Sequence, residues 1–174
     1  FAPDGSVRAR YDKIHLFDST VASGETYRES SQVEGGQDAV LADTAFGPMG
    51  ITVCYDLRFP QLYRRLAQAG AFAFTIPSSF TVPTGEAHWH VLMRARAIEN
   101  GAFVIAPARG GLHANGRKTY GHSLIVAPWG EVLAEAGTDP GVIIAEIDPQ
   151  LSLTARGKVP SLQHDRNFCI PNCF

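Results

Sequence analysis

The sequence predicts an α/β fold with a mixed sheet, and three observations predict it. Short runs of β-branched and apolar residues alternate with segments of helical period, the pattern of strands joined through helices. Two runs, residues 71–76 and 102–106, are apolar throughout, as in strands covered on both faces. Turn residues, Asp4-Gly5 and Pro128-Trp129-Gly130, join neighbouring runs as hairpins, so the strands are not all parallel.

The elements follow in order. Asp4-Gly5 marks a hairpin turn, and a chain opening on a hairpin is expected to open in the middle of a sheet. Residues 49–54, Met-Gly-Ile-Thr-Val-Cys, are strand-like. Pro60 suits the first turn of a helix, Leu62, Leu66 and Ala69 give it an apolar face, and Gly70 ends it. Residues 71–76 form a buried strand. Residues 86–99 form the clearest helix: Trp89, Leu92, Met93, Arg96 and Ala97 fall at i, i+3, i+4, i+7 and i+8, with Asn100-Gly101 as the stop. Residues 102–106 form another strand, and 123–127 pairs with 131–134 across Pro128-Trp129-Gly130. Val142 to Ile147 reads as one more strand, and Asp148-Pro149 starts a short helix.

The totals exclude several classes. A chain of 174 residues can bury a core, and its 45% apolar and 18% charged residues are ordinary for a globular domain. A net charge of −2 gives no reason to expect nucleic acid or an anionic membrane as partner. No apolar run approaches the ~20 residues that span a bilayer. Residues 1–5 have neither the basic nor the apolar region of a signal peptide, and a cytoplasmic location is the expectation. The three cysteines, at 54, 169 and 173, are too few for a disulfide framework. Cys169 and Cys173 read as thiols on a flexible tail covering residues 163–174.

Cys54 ends a strand and precedes a turn into a helix, where a side chain projects above the sheet edge and backbone N–H groups converge. That arrangement can activate a thiol and stabilise an oxyanion. A lone cysteine at a strand end is more often a small buried hydrophobe. Lys13 lies in an alternating segment facing opposite to Ile14 and Leu16, so a solvated face suits it too. His88 and His90, two apart on a helix, face away from one another and cannot easily share an ion.

Taken together, the two segments resemble the lysine and cysteine motifs of the nitrilase superfamily. Tyr11-Asp12-Lys13-Ile14-His15-Leu16-Phe17-Asp18 is similar to the first, and Gly50-Ile51-Thr52-Val53-Cys54-Tyr55-Asp56-Leu57-Arg58-Phe59-Pro60 to the second. The likeness continues in order through Pro77-Ser78-Ser79-Phe80, Thr84-Gly85-Glu86-Ala87-His88-Trp89, residues 94–100, Tyr120-Gly121-His122-Ser123 and residues 128–133. Within the superfamily it is most similar to the ω-amidase and deaminated-glutathione amidase branch. The resemblance implies an αββα sandwich, with residues 1–174 as the C-terminal portion of one domain. It implies homodimers or larger homo-oligomers and no metal or organic cofactor.

The resemblance also implies a mechanism. Cys54 attacks a small carboxamide and forms a thioester that water hydrolyses; Lys13 and the backbone N–H of Tyr55 stabilise the oxyanion. Glu29 matches a second glutamate that orients Lys13 or the substrate. Ser79, Phe80, His88 and Trp89 are expected to wall the pocket, and Arg58 to form a buried, charge-paired support beneath the cysteine loop. The family's general-base glutamate precedes the lysine motif and has no counterpart among residues 1–12, so these residues are expected to be a fragment lacking the first part of the fold. The alternatives are a catalytically silent assembly or binding module, and nitrile hydrolysis at the same residues.

Overall fold

The computed structural model describes residues 1–20 and 24–169. Its elements run β1 (Asp18–Thr20), β2 (Thr26–Arg28), β3 (Val40–Thr44), β4 (Gly47–Ile51), α1 (Pro60–Gln68), β5 (Ala73–Thr75), α2 (Val82–Asn100), β6 (Phe103–Ala106), β7 (Gly110–Leu112), β8 (Lys118–Tyr120), β9 (Leu124–Val126), β10 (Val132–Glu135) and α3 (Gln150–Lys158). Short 3-10 turns occupy Glu29–Ser31, Cys54–Arg58 and Ser161–Gln163.

The main sheet has six strands in the order β10-β9-β6-β5-β4-β3. Its middle is parallel, β4 to β5 to β6, because α1 and α2 return the chain to the same end of the sheet each time. Its flanks are antiparallel, β3 on β4 and β6 on β9 on β10. The fold is therefore α/β with a mixed sheet, as the alternation of runs predicts.

Both helices bury their apolar stripes on one sheet face. Leu62, Tyr63 and Leu66 of α1 and Trp89, Met93 and Ala97 of α2 share a core with Phe74, Val104, Leu124 and Val126. Successive strand residues face opposite ways, so Ala73 and Phe103 point to the other face, where Met49, Phe72 and Ile147 join them. α3 is tied to the end of α2 through Ser152 Oγ donating to the Gly101 carbonyl at 2.5 Å and Arg156 Nε to the Asn100 carbonyl at 3.0 Å.

Three sequence expectations shift. The long helix starts at Val82 rather than residue 86: Thr81 flanks it, Pro83 fits the first turn, and Gly85 lies inside it. Glycine weakens a helix, yet here a Cβ would sit 2.1 Å from Cγ of Tyr120, so packing requires it. The 49–54 strand ends at Ile51, although Thr52 N–H still donates to the Thr75 carbonyl and Cys54 N–H to the Pro77 carbonyl. Residues 142–147 are not a strand. They alternate in exposure as an extended chain would, but they pair with no strand among the described residues, and Val142 and Ile144 are 88% and 86% exposed. A two-residue period reports extension; a ladder also needs a partner edge.

The Asp4-Gly5 turn forms, with Gly5 at φ +82° and its N–H on the Ala2 carbonyl at 2.9 Å, but strands do not flank it. No helix among the described residues is long and apolar enough to cross a membrane. Cys169 is exposed, and Cys173 lies outside the described residues.

Candidate active site

Cys54 opens the 3-10 turn that follows β4, at the end of the parallel strands where ligands bind in open α/β sheets. Its φ is +50°, a left-handed conformation that a non-glycine residue adopts at a cost of about 1–3 kcal/mol unless its surroundings hold it there. Those surroundings are visible. Cys54 N–H is fixed to the Pro77 carbonyl at 3.0 Å, and two residues on stands Asp56, fully buried.

Asp56 organises the loop. Its Oδ2 accepts from Val53 N–H at 2.8 Å and from Tyr11 OH at 2.7 Å; its Oδ1 meets His15 N–H at 3.1 Å and His15 Nδ1 at 2.7 Å. One carboxylate thus fastens the lysine segment to the cysteine turn. Burial, together with the hydrogen bond to Asp56, pushes the Tyr11 phenol well above its ordinary value, so it remains a donor. His15 also stacks on Phe59, ring centroids 3.5 Å apart.

Lys13 is brought to the cleft by that fastening, with its side chain only 14% exposed. Its Nζ pairs with Glu29 Oε2 at 2.5 Å, and the same oxygen accepts Phe17 N–H at 2.7 Å. Glu29 begins the short turn after β2 and is held toward the lysine rather than toward solvent. On the far side, Gly36 N–H donates to the Lys13 carbonyl at 2.9 Å, and a Cβ on Gly36 would lie 2.1 Å from the Asp12 oxygen.

Lys13, Glu29 and Cys54 line one cleft of about 270 Å³ with Phe17, Tyr27, Arg28, Gln32 and Arg117. A narrower cleft on the other side of Cys54 is bounded by Phe17, Tyr55, Arg58, Phe80, Thr81 and Thr84. A larger cavity of about 580 Å³ lies against β3, lined by residues between Phe1 and Ile51 that include no cysteine, lysine or histidine. The cleft wall carries three cations, Lys13, Arg28 and Arg117, against the single carboxylate of Glu29. Arg117 stacks over Tyr27 at 4.9 Å and donates through Nη2 to the Ser79 carbonyl at 3.1 Å, while its buried Nε has no partner among the described residues.

Several expected neighbours stand elsewhere. Phe80 reaches the narrow cleft, and Ser79 contributes its carbonyl to Arg117. Trp89 does not wall the pocket: it is fully buried behind Phe80, ring centroids 5.0 Å apart, with Nε1 on the His122 carbonyl at 2.7 Å. His88 is exposed and meets Arg58 through Nδ1 at 3.3 Å. Arg58 is half-buried over the Phe80 ring and faces this imidazole rather than a carboxylate, so it is no buried ion-paired prop.

The arginine beneath the loop is Arg96, buried on α2, whose Nε donates to the Leu57 carbonyl at 2.9 Å and Nη1 to Glu99 at 2.8 Å. Sequence reasoning missed Asp56 and Arg96 as supports. The signal for Arg96 was its place at i+7 from Trp89 on the apolar stripe.

A half-buried thiol at a strained strand-to-turn position shares its cleft with an ion-paired lysine. The carbon-nitrogen hydrolase family profile matches residues 1–156, and the chain belongs to that family, within the nitrilase superfamily. It is 50% identical over 165 residues to a deaminated glutathione amidase of Synechocystis, covering 94% of this chain and 61% of the relative. It is 40% identical over 173 residues to the omega-amidase NIT3 of Saccharomyces cerevisiae, covering 97% and 57%. Among solved structures, the C. elegans NitFhit protein superposes with a TM-score of 0.87 at 41% identity, over 94% of this chain and 40% of that one. The chain thus spans roughly three fifths of the curated relatives' length.

Proposed function

We propose that this chain carries the nucleophile and oxyanion machinery of an amidase acting on a small carboxamide that also bears a carboxylate. The observation supporting the reading is the shared cleft of Cys54, Lys13 and Glu29. The Cys54 sulfur adds to the amide carbon, and the carbonyl π electrons move onto oxygen. Lys13 and the Tyr55 N–H, one of the donors that a helical turn leaves without an internal partner, stabilise that charge. The C–N bond then breaks and ammonia leaves with the proton taken from the thiol. Water adds to the thioester, the C–S bond breaks, and the carboxylic acid and free thiol are restored.

Glu29 holds Lys13 aimed into the cleft. The mechanism also needs a base to carry protons between thiol, amine and water; the resemblance implies a glutamate ahead of the lysine motif for that role, and residues 1–12 hold none. A lone carboxylate among three cations favours an anionic substrate, and Arg117 on the cleft wall is the group placed to bind its carboxylate. The relatives named as deaminated glutathione amidase and omega-amidase support amide chemistry. Subunits are expected to pair, as the family resemblance implies.

The test is ammonia release from monoamides of short dicarboxylic acids by the protein that contains this chain. Cys54→Ala should abolish turnover, Lys13→Ala should nearly do so, and Glu29→Ala should lower the rate strongly with the fold intact. Unaltered turnover in the Cys54→Ala protein would sink the mechanism.

A further inference from the structure

Away from the cleft, three ligand-type side chains from three separate elements converge. His90 lies on α2, His122 follows β8, and Glu135 ends the edge strand β10. Glu135 Oε1 lies 2.9 Å from His90 Nε2 and 3.1 Å from His122 Nδ1, and the three ligand atoms all lie within 4.8 Å of one another. Helix geometry sets His88 and His90 apart, and His88 turns to Arg58; the companions of His90 come instead from across the fold.

The cluster is supported from behind. His122 has φ +58°, and its backbone is pinned on both sides, N–H to the Gly137 carbonyl at 3.0 Å and carbonyl to Trp89 Nε1 at 2.7 Å. Its ring stacks on Tyr120 at 4.3 Å, and the same tyrosine meets His90 edge-on at 6.1 Å. Such fixing of the imidazoles is what outer groups provide around a metal-binding histidine pair. The side chains are 28–37% exposed, enough for a hydrated ion to enter.

We propose that His90, His122 and Glu135 form a site for a zinc-type divalent metal, with water in the fourth position. Two imidazole nitrogens and one carboxylate oxygen are a zinc donor set, and imidazole also suits cobalt and nickel. Zinc bonds of about 2.0–2.1 Å separate tetrahedral ligands by roughly 3.3 Å, so the contacts at 2.9 and 3.1 Å open by a few tenths as the ion displaces the bridging N–H protons. The ion joins α2 to β10 only when the chain is folded, so it stabilises the folded state.

The test is calorimetric titration of the full chain with zinc chloride at neutral pH, and with cobalt chloride followed by visible absorption. One equivalent should bind, the cobalt complex should lack a thiolate charge-transfer band, and Cys54→Ser should bind alike. His90→Ala and Glu135→Gln should each weaken binding at least tenfold. Independently of any variant, the ring nitrogens Nε2 of His90 and Nδ1 of His122 should shift in nitrogen-15 spectra on zinc addition. Failure to bind, unchanged affinity in both variants, or histidine signals that do not move would each overturn the site.

Discussion

Replacing Asp56 tests the claim that one buried carboxylate sets the geometry of the Cys54 turn. Asp56→Asn keeps the shape and exchanges one oxygen for an NH₂ group. Either choice of oxygen leaves one backbone donor facing an NH₂ group, His15 N–H at Oδ1 or Val53 N–H at Oδ2, and disturbs a second contact, to the His15 ring or to Tyr11. A hydrogen bond to a charged group contributes about 1.5–3 kcal/mol net, so the two contacts together carry roughly 3–6 kcal/mol, with relaxation favouring a loss at the lower end. Asp56→Ala abandons all four contacts and leaves a hole; it should cost about 5 kcal/mol, partly offset because no buried charge remains. Against a typical stability of about 5–15 kcal/mol, either loss is large.

Urea unfolding followed by circular dichroism measures the loss, with an unchanged slope confirming that the denatured state is the same. Alkylation of Cys54 by a small haloacetamide, measured on the folded fraction, reads the geometry. Cys54 holds φ +50° against its own preference, so freeing Val53 lets the turn relax and carries the sulfur away from Lys13. The Asn variant should lose about 3 kcal/mol and alkylate at an altered rate. A loss below about 1 kcal/mol, or the same alkylation rate in both proteins, would refute the idea that Asp56 holds this turn.

Three further outcomes are expected. Gly36→Ala should cost about 2–3 kcal/mol in urea unfolding, because its Cβ meets the fixed Asp12 carbonyl oxygen rather than a movable side chain; a cost under about 0.5 kcal/mol would contradict that packing. Arg117→Ala should raise KM about tenfold or more for an amide bearing a carboxylate and leave a neutral amide nearly unaffected, and equal effects on both would remove Arg117 as the anchor. Hydrogen bonds from Arg64 and then Gln68 hold the Asp165 carboxyl below its ordinary value of 3.8, so the tether of this residue to α1 is present above that value and is lost as pH falls through the lowered one. Carbon-13 titration should place the Asp165 inflection below 3.8, and an inflection at or above it would show the tether absent in solution.

What the sequence makes legible here is periodicity and motif; what it hides is partnership. The alternation of runs specifies an α/β fold, and the 3.6-residue stripe on α2 specifies which residues face the sheet, down to the buried Met93 and Ala97. The apolar, β-branched run at residues 142–147 describes an extended chain correctly and cannot say whether another strand lies beside it. The two arginines show the difference most sharply. Arg58 sits in the cysteine motif and reads as the prop beneath it, yet it ends the tight turn half-buried, one residue beyond the fully buried Asp56 and Leu57. Arg96 carries a charge that ordinarily belongs at a surface, yet it occupies the apolar stripe at i+7 from Trp89. A guanidinium on a stripe that must be buried needs acceptors there, and the carbonyls most in need of donors are those of a short turn with few internal hydrogen bonds. The turn carrying Cys54 is such a turn, and Arg96 meets the Leu57 carbonyl within it. Weighing a charged residue by the face it occupies, before the motif it neighbours, puts the support of the cysteine turn on α2.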